Sequence, residues 1–137
     1  MEQKDKDLLL KDLCARLPYG VKCYIQETND TSILAAVLED GENTLFNFWE
    51  DSRKIQYWYQ LYISEFKPYL FPMSSMTDEQ KEEFNQLLEL ELKAINDEIT
   101  HTQATEFEID FYNKHHLDWR GLISKGLAID ATDLNIY

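Results

Sequence analysis

The sequence is short of the residues that break a chain into pieces. It has four glycines and three prolines in 137 residues, so no long flexible linker is indicated. It has two cysteines, Cys14 and Cys23, too few for a disulfide framework or a zinc site of their own. They read as two reduced, buried thiols of a cytoplasmic protein. No apolar run approaches the roughly 20 residues of a membrane-spanning helix. The opening "MEQKDKDLLLKD" mixes both charge signs around three leucines, which is not the pattern of a secretory signal. The sequence lacks the patterns G-x-S-x-G, H-E-x-x-H, G-x-G-x-x-G and the P-loop, and with them the best-marked routes to hydrolase, metalloprotease and nucleotide chemistry.

Positive charge is the other shortage. Thirteen Lys and Arg face 26 Asp and Glu, a formal charge of −13. The imbalance is uneven. Residues 76–110 hold eleven acids against Lys81 and Lys93, a net of −9, whereas residues 111–137 are neutral. Such a field repels phosphate backbones, so direct binding to nucleic acid is disfavoured.

A chain of this length with 44% apolar residues can form one domain with its own core. Residues 7–17, "DLLLKDLCARL", place Leu9, Leu10, Leu13 and Leu17 at helical spacing, and Pro18 ends that helix. "YGVKCYIQ" alternates, with Val21, Cys23 and Ile25 on one face. "ILAAVLE", "TLFNFW" and "IQYWYQLYI" are further strand candidates separated by short polar turns. Pro68 and Pro72 in "KPYLFPM" mark an extended crossing segment outside any central strand. Thr77 and Gln80 have capping-box spacing at the start of a helix from about Asp78 to Glu98, striped by Phe84, Leu88, Leu92, Ile95 and Ile99. "THTQA" interrupts it, and Thr105 with Glu108 opens another helix through His116.

The expectation is an α+β fold over residues 1–137. A short N-terminal helix precedes an antiparallel sheet of three or four strands, either a meander or a small curled barrel. Two C-terminal helices and a short helical turn then pack on the sheet, because a two-layer domain must cover its apolar face. By the same reasoning the helices cover Trp58 and Tyr62; if they do not, these rings form a binding patch.

The densest collection of chemical groups is "HHLDWRGLISKG", His115 to Gly126. Most of it reads as punctuation: Asp118 caps a short helix from Trp119 to Lys125, and Gly126 takes the left-handed position beyond its end, with Leu127 closing on it. The alternative is a small enzyme or metal-binding protein that uses His115, His116, Asp118 and Arg120. Adjacent histidines on a helix diverge by about 100°, which opposes a shared metal.

The phrases "LPYGV" (Leu17–Val21), "KPYLFP" (Lys67–Pro72) and "RGLI" (Arg120–Ile123) resemble those of a group of small uncharacterised proteins encoded by phages and mobile elements of gut bacteria. The resemblance implies a cytoplasmic protein acting in an infected or element-bearing host. It supplies no catalytic residue, metal or cofactor. Together these readings favour a non-enzymatic module that contacts a host or phage protein. Its contact residues are Trp58 and Tyr62 on the aromatic strand and Glu79, Glu82, Glu83 and Glu89 on an acidic helix face that mimics nucleic acid.

Overall fold

The computed structural model describes residues 1–41, 43–50, 58–94 and 101–137, with three helices and six strands among them. Helix α1 (Gln3–Arg16) leads into a 3-10 turn at Leu17–Tyr19. Strands β1 (Lys22–Ile25), β2 (Asp30–Asp40), β3 (Asn43–Glu50), β4 (Trp58–Leu61) and β5 (Phe66–Leu70) follow. A second 3-10 turn, Met73–Ser75, precedes α2 (Asp78–Ala94), α3 (His101–Lys114) and the two-residue strand β6 (Ile129–Asp130).

The sheet is open, mixed and larger than the sequence suggested, with order β4-β3-β2-β1-β5-β6. Strand β1 lies inside it, antiparallel to both β2 and β5. Among the described strands, β5 and β6 alone pair in parallel. Neither a three-stranded meander nor a closed barrel describes it. Two strands account for the difference. The first is β6, too short to show alternation in sequence. The second is β5, which contains Pro68 and yet lies between two neighbours. The amide of Gln26 donates to the Glu65 carbonyl, which places residues 26 and 65 in a hydrogen-bonded pair. Such pairs alternate along an antiparallel ladder, so Pro68 opposite Cys23 falls at a non-bonded position. Its missing N–H therefore costs β1 nothing, and β6 pairs only from Tyr69 onward.

Alternation within the strands holds as expected. Cys23 and Ile25 are buried while Lys22 and Tyr24 are half-exposed. In β2 the register shifts between Leu34 and Ala36, so Leu34 pairs with Phe48 and Val37 with Phe46. The extra residue explains how "ILAAVL" keeps Leu34 and Val37 on the core side although they are three residues apart. Of the longest strand candidate, residues 55–57 lie outside the described residues; in the rest, Leu61 is buried and its neighbours Gln60 and Tyr62 are exposed.

The core beneath the sheet is built from Leu9, Leu13, Val21, Cys23, Ile25, Leu34, Phe46, Phe48, Phe66 and Leu70. Phe66 packs edge-to-face on Phe46 at 5.1 Å and on Phe48 at 4.8 Å. The covering layer comes from α1, through Leu9 and Leu13, and from the turn residues Leu122, Leu127 and Ala128. This corrects the expectation that α2 and α3 form the lid. Their described side chains form a separate aromatic cluster, in which Phe84 meets Phe107, Phe111 and Tyr112 at 5.1–6.1 Å.

Helix starts and stops differ in detail. The Thr77–Gln80 capping box is present in both directions: the Thr77 amide donates to Gln80 Oε1 at 3.0 Å and the Gln80 amide to Thr77 Oγ1 at 3.1 Å. Helix α3, by contrast, already runs at Thr105, because "HTQAT" holds no Gly or Pro to break it. At the end of α1, Leu17 keeps helical angles before Pro18, and the chain reverses at Gly20, with φ 67°. Ile95 and Ile99 of the expected apolar stripe lie outside the described residues.

Phe66 closes the aromatic centre of this core. Phe66→Ala should therefore cost about 3–5 kcal/mol in equilibrium urea unfolding, with the midpoint lowered accordingly.

Candidate functional site

The stretch from His115 to Gly126 contains two helix-ending motifs in series rather than a helix. At the end of α3 the Leu117 amide donates to the Tyr112 carbonyl (2.8 Å) and the His116 amide to the Asn113 carbonyl (3.2 Å). That is a Schellman motif, and His116 occupies its left-handed position with φ 58°. The second motif spans residues 122–127: the Leu127 amide donates to the Leu122 carbonyl (3.0 Å) and the Gly126 amide to the Ile123 carbonyl (3.0 Å). Gly126 has φ 73°, and Leu122 and Leu127 are both buried. The expected closure by Gly126 and Leu127 is therefore present, but on a single turn. A helix from Trp119 to Lys125 does not form, because Gly121 also adopts positive φ, at 73°. Asp118 caps this turn from further away, its two carboxylate oxygens accepting from the amides of Leu122 (2.7 Å) and Ile123 (2.9 Å).

Arg120 does not join Asp118. Its Nη1 reaches Asp12 Oδ1 on α1 at 2.9 Å, across 108 residues of sequence. The other oxygen of Asp12 accepts from Arg16 Nε at 2.8 Å, and Arg16 Nη2 donates to the Leu117 carbonyl at 2.7 Å. The side chains of Asp12 and Arg16 are both 0% exposed. One carboxylate thus holds two guanidinium groups inside the protein, and Arg16 Nη1 is buried with no hydrogen-bond partner. The Arg120 guanidinium also stacks 4.1 Å over the Trp119 ring, whose Nε1 donates to the buried Asn113 side chain at 3.0 Å. A signal of this network was visible: Asp12 and Arg16 fall on the same helical stripe as Leu9 and Leu13, where a charge must be paired or exposed.

His116 turns a third way. Its ring stacks on Tyr137 with centroids 3.8 Å apart and planes 14° apart. Its Nδ1 is buried and without a hydrogen-bond partner. Burial, with the positive charges of Arg16, His115 and Lys22 nearby, pulls its pKa down to about 4. His115 points to α2, its Nε2 lying 3.6 Å from Glu83 Oε2 and its ring 4.5 Å from that of Phe111. His116, Asp118 and Arg120 therefore serve three different partners. Among the described residues, no group of three or more His, Cys, Asp or Glu side chains is placed to hold a metal ion.

The expected contact residues lie elsewhere. Tyr62 is 51% exposed, not covered by helices, and borders a polar groove of about 360 Å³ with Lys6, Asp7 and Leu10 of α1. The side chain of Trp58 lies outside the described residues. On α2, Glu79, Glu82 and Glu89 are exposed. Glu83 is drawn toward α3 by His115 and by Lys114 Nζ at 3.8 Å.

Comparisons with protein-family models, with curated proteins and with solved structures find no match to this chain.

The Asp12 network makes a two-part prediction. Asp12→Ala strands the buried Arg16 and the partly buried Arg120 and should cost about 3–5 kcal/mol. Replacing the set together, as Asp12→Leu with Arg16→Met and Arg120→Met, should cost clearly less. Urea unfolding of both variants checks the difference.

Proposed function

We propose that this chain is a protein-interaction module whose contact surface is the acidic outer face of α2. The observation that carries this reading is a contrast in how charge is used. The groups with the best chemistry, at residues 115–120, are bound into the fold through Asp12, Tyr137 and two backbone amides. On α2, Glu79, Glu82 and Glu89 are left facing solvent.

At 100° per residue, Asp78, Glu79, Glu82, Glu83 and Glu89 fall within an arc of about 140°. The apolar Phe84, Leu87 and Leu88 occupy the opposite side, where Phe84 meets α3. Repeated carboxylates on one face present a row of negative charge suited to a Lys/Arg-rich groove of a kind that otherwise holds nucleic acid. Electrostatic steering speeds such an encounter. Tyr62, half-exposed beside α1 and just past the end of β4, supplies a second and aromatic contact, with Trp58 at the start of that strand.

We further place the protein among the accessory proteins of phages and mobile elements, acting in the cytoplasm on a host or phage protein. The three phrases behind that resemblance meet in the fold. Val21, Leu70 and Leu122 share the core, and Phe71 bridges Leu117, next to the Asp12 network. Among the described residues, no helix is long and apolar enough to cross a membrane.

A fluorescence-anisotropy competition tests the surface. A basic DNA-binding protein is loaded with a labelled duplex, and this chain is titrated in. Displacement should weaken steeply with added salt. The variant Glu79→Lys/Glu82→Lys/Glu89→Lys should lose at least about tenfold in displacement, which corresponds to about 1.4 kcal/mol. Equal displacement by wild type and variant removes α2 as the contact surface.

A further inference from the structure

The last segment of the chain is fastened to the sheet by one aromatic residue. In the β1–β5 ladder, residues 26–65 and 24–67 are hydrogen-bonded pairs, so the next such pair would be Lys22 and Tyr69. The Tyr137 hydroxyl lies between them. The Lys22 amide donates to Tyr137 Oη at 2.9 Å, and that hydroxyl donates to the Tyr69 carbonyl at 2.8 Å. A side chain from the C-terminal segment thus supplies one rung of the ladder. Lys22 Nζ donates to the Ile136 carbonyl at 2.9 Å and lies 5.9 Å from the centre of the Tyr137 ring, while Phe71 packs 5.7 Å from it.

His116 stacks on the Tyr137 ring. This histidine stands at a left-handed position that usually takes glycine, so its side chain is held there against a local backbone cost. The charged and titratable groups around it come from every neighbouring element: Arg16 from α1, Lys22 from β1, His115 from the end of α3, and Tyr137 itself. None of these is a carboxylate, although Arg16 is itself paired with Asp12 of α1. A proton on the imidazole adds a positive charge to a site that already holds two permanent ones.

We propose that Ala131–Tyr137 is an acid-released latch: protonation of His116 breaks its stack on Tyr137, withdraws the hydroxyl rung between β1 and β5, and uncovers the ring of Phe71. This inference is independent of the acidic α2 surface.

The sign follows from the neutral imidazole being the form the closed latch accepts. Its pKa when closed is about 4, below the ordinary histidine value of about 6.5 that applies when the segment is free. The closed state is therefore fully favoured above about pH 6.5 and is progressively lost as the pH falls toward 4.

Amide hydrogen exchange followed by NMR tests this on the full chain. The Lys22 amide reports the latch, and the Leu34 amide, bonded to the Val21 carbonyl at 3.0 Å, reports the sheet. After correction for intrinsic rates, opening at Lys22 should rise about tenfold to a hundredfold between pH 7 and 4.5, while Leu34 stays protected. His116→Asn, which tolerates positive φ and does not titrate, should make the Lys22 profile flat. Tyr137→Phe should leave Lys22 poorly protected throughout. A wild-type Lys22 profile flat with pH overturns the latch, as does the same acid slope in His116→Asn. Loss of Leu34 protection together with Lys22 overturns it too, because the event is then global unfolding. Should His116→Asn fail to fold, the wild-type His116 ring-proton titration must track Lys22 opening; a mismatch of the two curves refutes the proposal.

Discussion

The fold is organised around one buried carboxylate. Asp12 lies under α1 and takes a guanidinium on each oxygen, Arg16 from its own helix and Arg120 from a segment more than a hundred residues later. Removing ions from water costs several kcal/mol for each, so this triad is weak as a source of net stability. Its value is geometric. A buried ion has few acceptable arrangements, so the contact fixes where α1 sits and where the 117–120 segment crosses it. Arg16 extends the constraint by holding the Leu117 carbonyl, and Leu117 in turn bridges Phe71 at the end of β5. Charge-assisted bonds from Asp12 and Arg16, followed by a backbone bridge, thus join the first helix to the end of β5.

That constraint explains how the protein closes a six-stranded sheet with so little helix on it. Leu9 and Leu13 descend from α1, and Leu122 and Leu127 come from a turn that Asp118 and Gly126 hold in shape. Among the described residues, the pair α2–α3 adds no side chain to that core. It builds its own aromatic contact and presents its other side to solvent. In the β1–β5 ladder a phenol takes the place of a backbone rung, so the sheet borrows bonds from a residue outside its strands.

Local rules were legible where a single short-range interaction decides the outcome. The Thr77 and Gln80 box, the alternation of Cys23 and Ile25, and the left-handed Gly126 each depend on neighbours within a few residues. The placement of Pro68 was not, because the cost of a missing N–H depends on which ladder position the residue takes, and that is set by β1, some forty residues earlier. Gly121 was passed over inside an apparent helix for a related reason: a glycine there costs little by itself, and only the Asp118 bonds to Leu122 and Ile123 decide for the turn. Of the chemical groups, the sequence drew attention to His116, Asp118 and Arg120 by their closeness. Asp12 and Arg16 belong to no motif, although their helical spacing with Leu9 and Leu13 was the better sign of a buried charge. The role of Tyr137 had no local sign, since its partners Lys22, Tyr69 and His116 are brought to it by tertiary structure alone.

The two cysteines differ in a way that gives the protein an internal stopwatch. Cys14 is exposed on α1, whereas Cys23 lies in the core on an interior strand, with burial raising its thiol pKa well above the usual range. A thiol reagent reaches the first sulfur at once and the second only when β1 leaves its neighbours. With reagent in excess, the slow second label counts openings of the sheet one molecule at a time, with no engineered probe.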